Sequence, residues 1–254
     1  MPYWNSLAAG GSLATNYFAN THPSIGNYFM LTTGQIVSND DSFSGTTSVD
    51  NVIRELEVLG KTWKVYAESL PQPGYLGGDV YPYIKHHNPF AYFDDVVGSP
   101  SETAKLVPLS EFPADVTGGT TANYNFIVPN NLDNGHDCPD GTQNCSVDVK
   151  LASADKWLSS TLAPLLASSS FKTTGLLLVI FDEAQFPDSA GGGGHVAVVL
   201  IGSRVKAGFR STTLYQHQSV LRLCLELLGG KVLPGAAANA PSMSEFIASR
   251  NQRE

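Results

Sequence analysis

Apolar positions along the 254-residue chain recur with two different periods. Residues 48–60, SVDNVIRELEVLG, carry them at helical spacing and stop at Gly60, which predicts a helix capped near Ser48 or Asp50. Residues 153–169, SADKWLSSTLAPLLASS, predict a second helix with a kink or local break at Pro164. Residues 213–229, TLYQHQSVLRLCLELLG, predict a third that ends at Gly229, and NYFMLTTG over 27–34 a short one just after Ser24. TWKVYAE (62–68) alternates as a strand, and ANYNFIVPN (122–130) reads as a strand running into a loop. GLLLVIFDEA (175–184) and HVAVVLIG (195–202) are continuous apolar runs, the pattern of strands buried on both faces. Residues 69–121 are rich in Pro, Gly and aromatics and predict a loop-rich excursion over one end of the sheet. Strands and helices alternate without an internal repeat. The expectation is a single α/β domain over 1–254, its central sheet mostly parallel with helices on both faces.

Composition narrows the function classes. Apolar residues make up 42% and charged residues 15%, the balance of an ordered globular chain. A formal charge of −8 argues against a nucleic-acid partner, which needs a basic face. No apolar run is long enough for a membrane span, and residues 1–20 lack the charged start and apolar block of a signal peptide. Cys138 and Cys145 bracket the short polar loop CPDGTQNC, where a disulfide is the better reading and points to an extracytoplasmic location, periplasmic or secreted. A zinc ribbon would need a second cysteine pair. Cys224, at helical spacing in LRLCLELL, reads as a buried core thiol.

In α/β sheets ligands collect where the strands end. Asp182 and Glu183 close LLLVIF; two adjacent acids there must be paired, solvated or metal-bound, although Glu183 could simply start an exposed loop. NLDNGHD after NFIVPN holds Asp133, His136 and Asp137, either as convergent ligands or as ordinary turn residues. His195 follows four glycines, which could form a mobile lid or pack closely against backbone; a core histidine bonded to a carbonyl competes with a ligand role. His87 projects from the turn His87-Asn88-Pro89 among aromatics, around a cleft or over a satellite core. His217, near a helix start, is either a donor to a carboxylate or structural. Oxygen and imidazole ligands in this mix suit divalent ions: Zn, Mn, Mg or Ca. No G-x-S-x-G elbow occurs, so a Ser-His-Asp esterase is disfavoured.

YWNSLAAGGSLATNYFANTHPSIGNYFMLTTGQ, HHNPFAYF, NFIVPNNLDNGHD, ADKWLSSTLAPLL, LLLVIFDEA, GGGGHVAVVLIG and YQHQSVLRLCLELLG together resemble the bacterial phosphoesterase family of acid phosphatases and phospholipases C in the alkaline-phosphatase superfamily. The segments cover most of the chain in the family's order. The resemblance implies an alkaline-phosphatase-like fold and metal-dependent hydrolysis of a small phosphate ester or phospholipid head group. Ser24 matches the nucleophile that forms a phosphoserine, Asn27 the amide that meets a phosphoryl oxygen, and His87 a phosphate or leaving-group contact. Asp182 and Glu183 match one metal position, and Asp133, His136 and His195 a second, with Asp137 as an alternative ligand. Gly26 stands where relatives carry a proline, which would loosen the turn. Relatives also begin with an apolar strand ending in a Glu-Asn pair, whereas Met1 here opens on residues matching the helix after it. The resemblance therefore implies either an N-terminally shortened domain, short of one strand and one metal ligand, or one in which another segment, a partner chain or an oligomer covers that edge. A catalytically impaired phosphate-binding protein is the runner-up.

Overall fold

The computed structural model describes residues 1–142 and 144–249, so the predicted domain end at residue 254 lies outside the described residues. The strands are β1 (Ser12–Phe18), β2 (Trp63–Ala67), β3 (Leu106–Pro108), β4 (Tyr124–Val128), β5 (Leu176–Ile180), β6 (His195–Gly202) and β7 (Arg210–Ser211). The residues divide into two compact units.

The first unit comprises 1–6, 44–48 and 62–170. Its three strands run in the order β3-β2-β4, and both ladders are parallel. Tyr66, Val107, Phe112 and Val116 form a buried cluster against which Leu109, Ile127 and Leu165 pack. The helix Val147–Ala167 begins earlier than its apolar pattern suggests and carries Pro164 in its last turn. There the proline removes one amide where few intrahelical bonds remain to be lost. Asp155 on this helix accepts from the backbone amides of Tyr3 (2.9 Å) and Trp4 (2.8 Å). It thereby satisfies first-turn donors of the helix Pro2–Gly10. Cys138 and Cys145 are disulfide-bonded, as the spacing predicts.

The second unit comprises 7–43, 49–61 and 171–254, described to residue 249. Its strand order is β5-β6-β1-β7; β6 pairs antiparallel with both β5 and β1, and only β1 and β7 run parallel. The expected mostly parallel sheet is thus realised as one parallel sheet and one mixed sheet. The apolar run 175–184 is also corrected: β5 is an edge strand, mostly half-buried, whereas β6 is central and carries the fully buried Val198, Val199 and Leu200. Ala14, Tyr17, Val196, Val198, Leu200, Tyr215, Val220, Leu223, Met243 and Phe246 are among the residues of this unit's core. Cys224 is half-buried rather than fully enclosed, packing against that core from the amphipathic helix His217–Leu228.

The helix predicted from residues 48–60 spans Val52–Val58, and Asn51 is its cap rather than Ser48 or Asp50. Its side-chain oxygen accepts from Ile53 N (2.9 Å) and Arg54 N (3.4 Å). Gly60 ends the helix at φ +63°, a conformation that suits glycine.

Candidate functional site

Within the second unit, β1 ends at Phe18 and residues 19–23 lead into the helix Ser24–Thr33. Asn27 organises this turn. It is fully buried; its Oδ1 accepts from Asn20 N (2.9 Å) and Thr21 N (3.2 Å), while its Nδ2 donates to Thr21 O (2.8 Å). Each amide atom is therefore held by the loop rather than turned toward a ligand. The four glycines supply the other wall. Gly193 N donates to Ala19 O (3.1 Å) and Ala19 N to Gly194 O (3.0 Å). Gly192 lies at φ +115°, and a Cβ there would overlap the Asn20 carbonyl oxygen. Of the two readings open for this run, close backbone packing is the one the geometry supports. Gly26 likewise has Thr21 and Asn39 against it where a Cβ would project, so the turn is tight rather than loosened.

Ser24 stands at the first turn of its helix, 7% exposed, and its Oγ donates to Glu183 Oε1 at 2.9 Å. The other carboxylate oxygen, Oε2, meets His22 Nδ1 at 2.7 Å. His22 Nε2 donates to Asp188 O at 2.8 Å. Both ring nitrogens thus face acceptors, and the contact to Glu183 is complete only when a proton sits between Nδ1 and Oε2. Burial pushes the Glu183 carboxyl above its usual range, and the neighbouring Asp182 charge adds to this against the contacts from Ser24 and His22. His22 belongs to none of the ligand patterns in the sequence. Its place two residues before Ser24 was the available signal. The helix N-terminus is partly occupied, since Ile25 N donates to Asp41 Oδ1 at 3.0 Å.

His217 is fully buried beneath Asp182. Its Nε2 donates to Asp182 O at 2.6 Å, so its Nδ1 accepts from Tyr17 OH at 3.0 Å. Burial lowers its pKa to about 4, with the Asp182 carbonyl opposing only in part. A neutral ring therefore fixes the backbone that carries the two acids. His195 donates through Nε2 to Thr15 O (2.9 Å), and its own amide donates to Asp188 Oδ2 (3.0 Å). It takes the carbonyl-bonded alternative, although from an exposed position.

The remaining predicted residues belong to the first unit. Asp133 Oδ1 accepts from Ser153 Oγ at 2.8 Å. His136 Nδ1 donates to Asp137 Oδ1 at 2.7 Å, and Asp137 Oδ2 accepts from Tyr81 OH and Asn131 Nδ2, each at 3.1 Å. Burial raises the Asp137 carboxyl, but those donors outweigh it and hold the group below its usual range. His87 is buried; desolvation, with His86 and His136 nearby, drives its pKa well down, leaving a neutral imidazole.

Among the described residues no group of three or more His, Cys, Asp and Glu side chains is placed to hold a metal ion. The six expected ligands form no such group: His195 is bonded to Thr15 O, Asp133 to Ser153, and Asp137 to His136, Tyr81 and Asn131. In the second unit, Asp182, Glu183 and Ser24 supply only oxygen. That set fits a hard ion such as Mg, which takes one or two carboxylates and completes its shell with water and phosphate. It lacks the imidazole or thiolate of a typical zinc site.

A family model described as "Phosphoesterase family" matches residues 1–229. A probable acid phosphatase of Kluyveromyces lactis is 32% identical over 227 residues, 85% of this chain and 51% of that protein. A phosphatidylinositol-3-phosphatase of Mycobacterium tuberculosis is 31% identical over 248 residues, 96% of this chain and 75% of that protein. The chain spans about half the length of the fungal acid phosphatases it matches. A Vibrio parahaemolyticus protein of the alkaline phosphatase superfamily aligns over 97% of this chain and 65% of its own, with a TM-score of 0.61 at 14% identity. A phosphonate monoester hydrolase from Silicibacter pomeroyi aligns over all of this chain and 73% of its own, with a TM-score of 0.58 at 11% identity. The fold is therefore α/β and alkaline-phosphatase-like.

Proposed function

The chain belongs to the Phosphoesterase family, and on that premise we propose that it hydrolyses phosphoric monoesters with Ser24 as nucleophile. The observation that carries this reading is the 2.9 Å hydrogen bond from Ser24 Oγ to Glu183 Oε1. A serine hydroxyl is a weak nucleophile unless a base stands beside it. As the Oγ–P bond forms and the ester P–O bond breaks, Oε1 takes the hydroxyl proton and the departing alkoxide takes a proton from solvent water. Burial makes Glu183 a better proton acceptor than an exposed carboxylate. His22 holds Oε2 and so fixes which oxygen faces Ser24. Water then attacks phosphorus, the Oγ–P bond breaks, the protonated carboxyl returns its proton to Oγ, and orthophosphate leaves carrying the protons of the water. Asn27 acts by holding the turn, not by touching the phosphoryl group.

Asp182 and the Ser24–Glu183 pair are the donors that would hold a divalent ion, which would neutralise phosphoryl oxygens against the incoming hydroxyl. The single family model spanning 1–229 crosses both units and supports one phosphoesterase domain. The names of the relatives, acid phosphatase and phosphatidylinositol-3-phosphatase, favour a monoester over a phospholipase C-type diester. The Cys138–Cys145 disulfide supports work outside the reducing cytosol. Among the described residues no helix is long and apolar enough to cross a membrane.

The test compares wild type, Ser24→Ala and His22→Asn on a chromogenic phosphate monoester, with and without added Mg or Mn. Ser24→Ala should reduce turnover to background with the fold unchanged, and His22→Asn should lower kcat more than it raises KM. Undiminished turnover in Ser24→Ala overturns the assignment. A wild type that binds phosphate but turns nothing over favours the impaired, anion-binding alternative.

A further inference from the structure

The first unit carries a cleft of about 510 Å³ that the reading above does not use. β2 and β3 run parallel, so Glu68–Leu70 and Pro108–Ser110 leave the sheet at the same end. Those two segments line the cleft, with Phe112 and Pro113 from the following helix and Ser160 and Thr161 from the helix Val147–Ala167. Carboxyl ends of parallel strands are where α/β folds bind ligands, because side chains there point away from the ladder and their loops are free to diverge.

The lining is held in place by β4's own exit. Asn130 N donates to Glu68 Oε2 (3.0 Å), and Asn130 Nδ2 donates to Ser69 Oγ (3.1 Å). Ser69 takes φ +59°, a left-handed conformation uncommon for a residue with a Cβ, and Asn130 meets its side chain there. The carboxyl of Glu68 is raised by burial, with the Asp133 charge adding to this and the Asn130 amide and the nearby Trp157 indole opposing it.

The chemistry of the wall selects the ligand. Its polar groups are one carboxyl and the hydroxyls of Ser69, Ser110, Ser160 and Thr161; its accessible apolar part is Pro108, Leu109 and Pro113, with Leu70 buried behind them. No Lys, Arg or His is among the lining residues, so an anion would find no counter-charge. Phe112 is 2% exposed and offers no open ring face, which removes the aromatic cage that a quaternary amine needs. Four hydroxyls and a carboxyl among aliphatic side chains match a molecule that both donates and accepts at several oxygens and has C–H faces between them. We propose that this cleft binds a small neutral polyol, of the size of one sugar ring.

The proposal is independent of Ser24 chemistry and is tested by binding. The full chain, labelled with nitrogen-15, is titrated with methyl α-glucoside, glycerol and inorganic phosphate while amide shifts are followed. The glucoside should move the amides of Ser69, Ser110, Ser160 and Thr161 saturably at millimolar concentration, and phosphate should leave them in place. Glu68→Gln and the surface variant Ser160→Ala should each weaken the glucoside at least fivefold, with spectra that remain dispersed. Should Glu68→Gln fail to fold, Ser160→Ala alone decides. Absence of saturable shifts at these amides, equal movement by phosphate, or wild-type affinity in a folded variant would overturn it.

Discussion

His217 gives the second unit an acid-labile point whose size follows from its surroundings. The ring has no exposure and bridges Tyr17 OH and the Asp182 carbonyl in its neutral form. An imidazole that titrates near 6.5 in the unfolded chain is held at about 4 in the fold by desolvation. Between those values the unfolded chain binds a proton that the fold refuses. Stability therefore rises with pH across the window and falls as acid is added. The slope is about 1.4 kcal/mol per pH unit, so this one residue removes about 3 kcal/mol between pH 7 and pH 4. That is a large part of the stability of an ordinary domain.

The perturbation is His217→Gln, which cannot titrate. The assay is urea unfolding at pH 7, 6, 5 and 4 in EDTA, followed by circular dichroism because Trp4, Trp63 and Trp157 all lie in the other unit. The variant should be less stable at pH 7, having lost packing and a hydrogen bond, but should lose about 3 kcal/mol less than wild type on going to pH 4. Parallel stability curves would show that His217 carries no such linkage, as would a His217 ring resonance titrating near 6.5.

Other consequences are local. Gly192→Ala places a Cβ against the Asn20 carbonyl at φ +115° and should cost about 2–3 kcal/mol, with the 19–24 turn displaced and turnover lowered. Gly60→Ala, which meets nothing within 4 Å, should cost only about 1 kcal/mol; equal losses of melting temperature would contradict the close-packing account. Asn51→Ala removes the oxygen that accepts from Ile53 N and Arg54 N and should cost about 1 kcal/mol by urea titration, recovered largely in Asn51→Ser. Burial pushes the thiol of the half-buried Cys224 up to about 12, so at pH 8 the folded protein should react with a thiol reagent far more slowly than the urea-unfolded chain; equal rates would contradict this.

The sequence showed long periodic elements well and short ones poorly. The helix expected over 213–229, which runs His217–Leu228, and strand β6 were legible because each repeats its pattern over several turns or pairs. β1 was missed: SLATNYF mixes polar and apolar residues, and a register shift between Ala14 and Tyr17 breaks the alternation. β3 was missed because it has three residues and ends in Pro108. β5 was misplaced because an apolar run of five looks the same at an edge as in a sheet centre. The Ser24, Asp182 and Glu183 segments were legible, but their connections were not. That Asn27 locks a turn, that His22 rather than His195 meets Glu183, and that the glycines are a wall all depend on contacts across long sequence separations.

The central claim is that Ser24 Oγ itself forms a bond to phosphorus. It is tested most directly by mixing the protein with excess phosphate monoester, quenching in acid within one turnover, and analysing the peptides by mass spectrometry. One phosphoryl group is expected on the peptide bearing Ser24, with none in Ser24→Ala, and it should decay at the rate of turnover. Steady hydrolysis with unmodified Ser24 at every time point, or a phosphoryl group on another residue, would contradict it.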